Sequence, residues 1–156
     1  MDSILLDLLP QELKSKEGIA ALSEVTEAPL IGIYFSAHWC PPCRGFTPIL
    51  SEFYKVANQE KKQIEIVFVS CDRDSKSFNE YYDSMPWIAV PFENEMKDTI
   101  SEAFGINGIP AFLVFDNKGN LIDQDARTIV QKSKGSGFNK ESADKIIEGW
   151  NSKIKK

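Results

Sequence analysis

Histidine is nearly missing from this chain of 156 residues, which has one, and cysteine is scarce at three. Three cysteines are too few, and too odd a number, for the disulfide framework of a small secreted scaffold, so their expected use is chemical. Positive charge is in deficit: 18 Lys plus Arg stand against 23 Asp plus Glu, a net charge of −5. Such a field disfavours phosphate backbones and anionic membranes, and no nucleic-acid partner is expected. Long apolar runs are lacking too. Leu30 to Phe35 and Ile64 to Val69 fall far short of the about 20 residues that span a bilayer, so no membrane association is expected. The opening MDSILLDLLP has no basic leader, is interrupted by Asp7 and offers no small-residue cleavage site, which argues against export. What remains is 42% hydrophobic and 26% charged residues, a globular balance that excludes disorder and low complexity. This length suits one domain, expected as a monomer, with residues 1–28 as an amino-terminal extension, 29–132 as the core and 133–156 as a loop and final helix.

Leu30 to Ala37 (LIGIYFSA) and Ile64 to Ser70 (IEIVFVS) read as buried central strands. Between them Phe46, Ile49, Leu50, Phe53 and Ala57 recur at helical spacing, with Arg44, Ser51, Glu52, Lys55 and Asn58 on the polar side. A crossover of this length predicts parallel strands and a right-handed connection, and Pro48 should kink the helix. Ser75 to Ser84 and Met96 to Phe104 read as surface helices separated by the proline-punctuated MPWIAVPF. Ala111 to Phe115, the turn DNKG and Asn120 to Asp123 predict an antiparallel hairpin. Ser133 to Phe138 reads as a Gly/Ser-rich loop, and Ser142 to Ile154 as a helix packed on the sheet. Residues 11–28 suggest a short hairpin around Ser15 to Gly18 followed by a turn of helix.

The motif Trp39-Cys40-Pro41-Pro42-Cys43 lies where the first central strand ends and the helix begins. Cys40 therefore falls near the helix N-cap, with Pro41 at the position that tolerates proline. Free N–H groups and the positive end of the helix dipole favour a thiolate, lowering a cysteine pKa from about 8.5 towards the 3.5 to 7.5 range of such motifs. Arg44 adds positive charge, and Pro41 and Pro42 stiffen the turn and tune ring closure. Cys40 is thus the expected nucleophile. Cys43, one turn on, is the expected resolving thiol that attacks a mixed disulfide.

On these residues the chain resembles the thioredoxin superfamily, in its tryparedoxin and nucleoredoxin branch. The resemblance covers about residues 30–130 and rests on YFSAHWCPPCRGFTP (Tyr34 to Pro48), MPWIAVPF (Met85 to Phe92) and GIPAFLVFD (Gly108 to Asp116). It implies an α/β thioredoxin fold, a mixed parallel and antiparallel sheet with helices on both faces. It also implies a thiol-disulfide oxidoreductase without bound cofactor, carrying electrons from an external dithiol to oxidised protein clients such as peroxidases. Ile109-Pro110 is implied as a cis-proline loop facing the cysteines, Trp39 as a neighbour of the nucleophile, and Trp87 and Arg127 as parts of the partner surface. A cytoplasmic setting, with a nuclear pool as well, goes with that reading. Thioredoxins proper carry a buried carboxylate six residues before the nucleophile, where this chain has Tyr34, so Asp72 at the end of the second strand is the candidate for proton transfer. Arg73 and Lys76 interrupt a loop that is acidic in the tryparedoxin pattern, so glutathione or a reductase is as well supported as trypanothione for the reductant.

Competing readings are weaker. Zinc on Cys40, Cys43, Cys71 and His38 lacks a second close cysteine pair, and covalent haem needs histidine where Arg44 stands. Cys71 reads as a small buried hydrophobe and His38 as a loop-packing residue. The cations Arg127, Lys132, Lys134 and Lys140 read as solvated charge. A redox-sensitive binding module that regulates a signalling partner is the alternative to an enzyme.

Overall fold

The computed structural model describes residues 5–133 and 137–154. In chain order the elements are α1 (Leu5–Leu8), β1 (Glu12–Ser15), β2 (Gly18–Ala21), α2 (Leu22–Thr26), β3 (Leu30–Ser36), α3 (Pro41–Ala57) and β4 (Ile64–Ser70). They continue with α4 (Ser75–Tyr82), β5 (Ile88–Ala89), α5 (Met96–Ala103), β6 (Ala111–Asp116), β7 (Leu121–Asp123), α6 (Ala126–Ser133) and α7 (Lys140–Asn151). Among the described residues, seven strands form one sheet in the order β2-β1-β5-β4-β3-β6-β7. β3 and β4 run parallel, Leu30 opposite Ile64, and β3 and β6 antiparallel, Leu30 opposite Asp116. The sheet is therefore mixed, as the resemblance implied.

All residues of β3 and β4 are buried because helices cover both faces. Their alternate side chains divide between the faces. Leu30, Tyr34, Ile66 and Phe68 pack with α3, α4, α6 and α7, whereas Ile31, Ile33, Val67 and Val69 pack with α1, α2 and α5. Gly32 is required by packing, since a Cβ there would lie 2.5 Å from the Phe112 ring.

Several element ends have local causes. Asn139 caps α7 by accepting the Ser142 N–H at 2.8 Å, which starts that helix at Lys140 rather than Ser142. Gly119, at φ 90°, turns the β6–β7 hairpin, while the buried Asp116 carboxylate accepts the Lys118 and Asn120 N–H groups. α3 runs on through Pro48, which is exposed. Residues 11–28 form the expected hairpin and helix turn, and β1 joins the sheet edge through Lys14 opposite Ala89. Two elements escaped the sequence patterns. β5 hides between prolines, and α6 hides its buried Ala126 and Val130 among polar neighbours. The Gly/Ser-rich loop falls partly at 134–136, outside the described residues.

Candidate active site

The carboxyl end of β3 delivers Cys40 to the N-cap of α3 with extended backbone angles (φ −96°, ψ 112°). Its sulfur accepts the Cys43 N–H at 3.4 Å, the capping contact that the sequence position predicts. The Cys40 thiol points at the Ile109 carbonyl oxygen, 3.9 Å away. Ile109-Pro110 is cis, and Arg127 holds that loop from α6 by donating to the Pro110 carbonyl at 3.4 Å. Arg127 is thereby half-buried and structural as well as peripheral.

Burial separates the two thiols. Cys40 keeps 5% of its surface exposed and Cys43 none. Desolvation pushes the Cys43 thiol from its ordinary 9.0 up to about 12, helped by the Cys40 contact and opposed by the Ser36 hydroxyl and the Ala37 backbone. Cys43 is therefore a neutral thiol at physiological pH. Cys71 is half-buried against Ala37, Cys40 and Cys43, and burial, followed by the Asp72 charge, raises its pKa as well.

Trp39 is 50% exposed, and its indole N–H donates to the Cys71 carbonyl at 3.1 Å with the Arg73 guanidinium 5.2 Å from its ring. Asp72 is buried, one carboxylate oxygen accepting the His38 N–H at 2.7 Å and the other the Ser70 hydroxyl at 2.8 Å. One oxygen of the proton-transfer candidate thus pins the loop before Cys40, and the other ties Asp72 to the end of β4. Pro41 and Pro42 are exposed in the first turn of α3. The exposed Arg44 lines a cavity of 670 Å³ between α3 and α4, together with His38, whose ring stacks on Tyr81 at 5.3 Å.

Trp87 requires a correction. Expected at the partner surface, it is 1% exposed and packs edge-on against Tyr34 at 5.9 Å and Tyr54 at 5.6 Å. Its flanking prolines suggest a surface turn, but β5 carries the segment into the sheet. Its place is in the core, where burying so large a ring is favourable. Among the described residues no group of three or more His, Cys, Asp or Glu side chains is placed to hold a metal ion, and no helix is long and apolar enough to cross a membrane.

Sequence reading missed a cluster of buried hydroxyls under Cys43. Ser36 and Tyr81 meet at 2.7 Å, Tyr81 and Thr47 at 2.5 Å, and Thr47 and Tyr34 at 2.6 Å. Thr47 also donates to the Cys43 carbonyl at 2.9 Å. The available signal was a polar residue on an apolar stripe: Thr47 follows Phe46 and precedes Leu50 on the buried face of α3.

The chain is similar in sequence and in fold to known proteins. The family model described as Thioredoxin-like matches residues 29–121. A protein named probable nucleoredoxin 1 from Arabidopsis thaliana is 37% identical over 149 residues, covering 90% of this chain and 26% of its own length. Tryparedoxin from Trypanosoma brucei brucei is 39% identical over 131 residues, 81% of this chain and 88% of that one. The solved structure of tryparedoxin II complexed with glutathionylspermidine superposes with a TM-score of 0.76 at 34% identity, covering 83% of this chain and 92% of that chain. The chain thus spans about a quarter of the nucleoredoxin and nearly all of the tryparedoxin. With its CxxC pair at a strand-to-helix junction and this sheet order, the chain belongs to the thioredoxin-like family of thiol oxidoreductases, in the tryparedoxin and nucleoredoxin branch.

Proposed function

We propose that this chain is a protein-disulfide reductase, a dithiol carrier working through Cys40 and Cys43. The observation that carries this reading is the asymmetry of the pair: Cys40 caps a helix beside the Ile109 carbonyl, and Cys43 is sealed behind it with its pKa near 12. Cys40, as thiolate, attacks a client disulfide. A Cys40–client S–S bond forms, the client bond breaks, and the departing client sulfur takes up a proton. Cys43 then loses its proton and attacks the Cys40 sulfur. The second client thiol leaves, and the Cys40–Cys43 disulfide holds the two electrons' worth of oxidation. An external dithiol, itself oxidised to a disulfide, restores the pair.

The backbone at Ile109 and the half-exposed Trp39 form the proposed dock, where an extended client segment pairs as a short strand. Oxidised proteins such as peroxidases are the proposed clients, and the proposed setting is cytoplasmic, with a nuclear pool, as a monomer. One solved relative carries glutathionylspermidine, which supports a glutathione-type thiol as reductant. The matches to nucleoredoxin support a second reading, a redox-sensitive module that binds a signalling partner. Turnover separates the two: with excess dithiol donor, the chain is expected to reduce insulin disulfides catalytically, and Cys43→Ser to accumulate mixed disulfides through Cys40. Absence of turnover favours the binding module, and equal trapping by Cys40→Ser overturns the assigned roles.

A further inference from the structure

The cavity of 670 Å³ between α3 and α4 plays no part in the dithiol chemistry, yet it starts close to it. Arg44, Pro48, Ser51 and Lys55 follow one another at helical spacing along α3, so they form one stripe of that helix, and all four line the cavity. The Arg44 end lies one turn from the nucleophile, since the Arg44 N–H donates to the Cys40 carbonyl at 3.1 Å. Across from the stripe stand Tyr81 and Ser84, at the end of α4. The charges of this groove are unspent. Both cations are exposed, and among the described residues the ion pairs are Lys62 with Glu65 and Lys140 with Asp144, so neither Arg44 nor Lys55 has an anionic partner. Glu52, the carboxylate of the same wall, accepts the Phe138 N–H from the loop before α7. A chain of net charge −5 thus turns two unpaired cations into one groove. From Arg44 to Lys55 the helix rises about 16 Å, a distance that an extended chain covers in about five residues.

We propose that this groove takes an acidic, extended segment of the client protein, with one carboxylate on Arg44 and another, about five residues further out, on Lys55. The proposal rests on the disulfide-reductase reading and names the clients that the chain selects: proteins whose reducible disulfide adjoins a segment with acids at that spacing. The two cations divide the work. A guanidinium grips a carboxylate through two parallel N–H groups and so sets the register, whereas an ammonium acts as a point charge and adds attraction. Between them Pro48 offers the segment an apolar contact and Ser51 a hydroxyl. The Ile109 carbonyl lies 3.9 Å from the Cys40 thiol and the groove opens one turn along α3, so the same client meets the cis-proline loop at its disulfide and the groove beyond it. Lys55 is a specificity residue and touches no reacting atom.

Three synthetic substrates test this. Each is a disulfide-closed peptide loop with a tail at either end that carries glutamate next to the disulfide and, about five residues out, glutamate, glutamine or lysine. With a dithiol donor, and after subtraction of the uncatalysed rate, the chain is expected to favour the distal glutamate over glutamine by about fivefold in kcat/KM, the upper range for an exposed ion pair, and to disfavour lysine. The preference should lie in KM rather than kcat and fade at high salt. Lys55→Glu is expected to invert the order, with lysine first and glutamate last, and Lys55→Met to flatten it. A damaged fold slows all three substrates alike and cannot invert their order. Equal use of the three by the wild-type chain, or their order left unchanged in Lys55→Glu, overturns the groove. Should Lys55→Glu not fold, a glutamate preference undiminished in Lys55→Met overturns it as well. A wild-type chain that reduces none of the three overturns the reductase reading itself.

Discussion

The two faces of the sheet are built from different material. The face under α1, α2 and α5 is largely aliphatic, with Ile31, Ile33, Val67, Val69, Ile100 and Leu113 at its centre. The face under α3, α4, α6 and α7 is aromatic, with Tyr34, Phe46, Phe53, Phe68, Phe78, Tyr81, Trp87, Phe112 and Trp150 packed together. Its rings meet largely edge-on or stacked, as Tyr34 and Trp87 do at 89° and Phe68 and Phe78 at 4°. Such pairs add about 0.5–1.5 kcal/mol each beyond area burial. The tyrosines also bring hydroxyls into the interior, where each must be paired. The hydroxyls of Tyr34 and Tyr81 are paired with Thr47 and Ser36 directly beneath the CxxC helix, whereas the buried Trp87 indole N–H on the same face has no partner among the described residues. One face supplies packing, the other packing plus a buried hydrogen-bonded cluster.

The largest effect that tests this contrast is a pair of substitutions on opposite faces. Ile33→Ala, on the aliphatic side, is expected to cost about 2–5 kcal/mol in denaturant unfolding and to leave Cys40 alkylation by iodoacetamide unchanged in the folded protein. Thr47→Val, on the aromatic side, is expected to cost only about 1–3 kcal/mol, through orphaned partners, while altering the rate at which mixed disulfides resolve. Altered alkylation in Ile33→Ala, or unaltered resolution in Thr47→Val, would dissolve the distinction.

A smaller effect sharpens it. Burial raises the pKa of Tyr34, Tyr54, Tyr81 and Tyr82 above the ordinary 10.0, and of Cys43 from 9.0 to about 12, and all but Cys43 belong to the aromatic core. These groups bind protons more tightly when folded, so their stabilisation is complete below the unfolded pKa values and is lost as pH rises through the folded ones. Thermal unfolding should therefore shift downward from about pH 9 towards pH 12. Tyr82→Phe should make that decline shallower, whereas Ile33→Ala should lower the whole curve without changing its slope; a flat alkaline limb counts against the assignment. The smallest effect lies at the edge of the aromatic face. Asn139→Ala removes the α7 cap and should lower stability by about 1 kcal/mol, read from the urea midpoint, with disulfide chemistry untouched.

The strand, helix, strand unit around the cysteines was legible because its signals are local. Runs of β-branched residues, apolar positions three and four apart, and a Cys-Pro pair at a helix start act within a few residues of one another, and β3, α3 and β4 formed nearly where they predict. The roles of Cys40 as cap and Cys43 as its neighbour one turn on follow from the same short-range geometry. Trp87 and the hydroxyl cluster were not legible. Ser36 and Tyr81 are 45 residues apart, Tyr34 and Thr47 lie on different elements, and Trp87 is enclosed by rings from β3 and α3. Backbone periodicity says which face of an element is apolar, but not which side chain of another element will stand opposite. That partner is chosen when strand order and helix packing close the core, so burial of Trp87, the bond from His38 to Asp72 and the hydroxyl cluster under Cys43 exist only in the assembled fold.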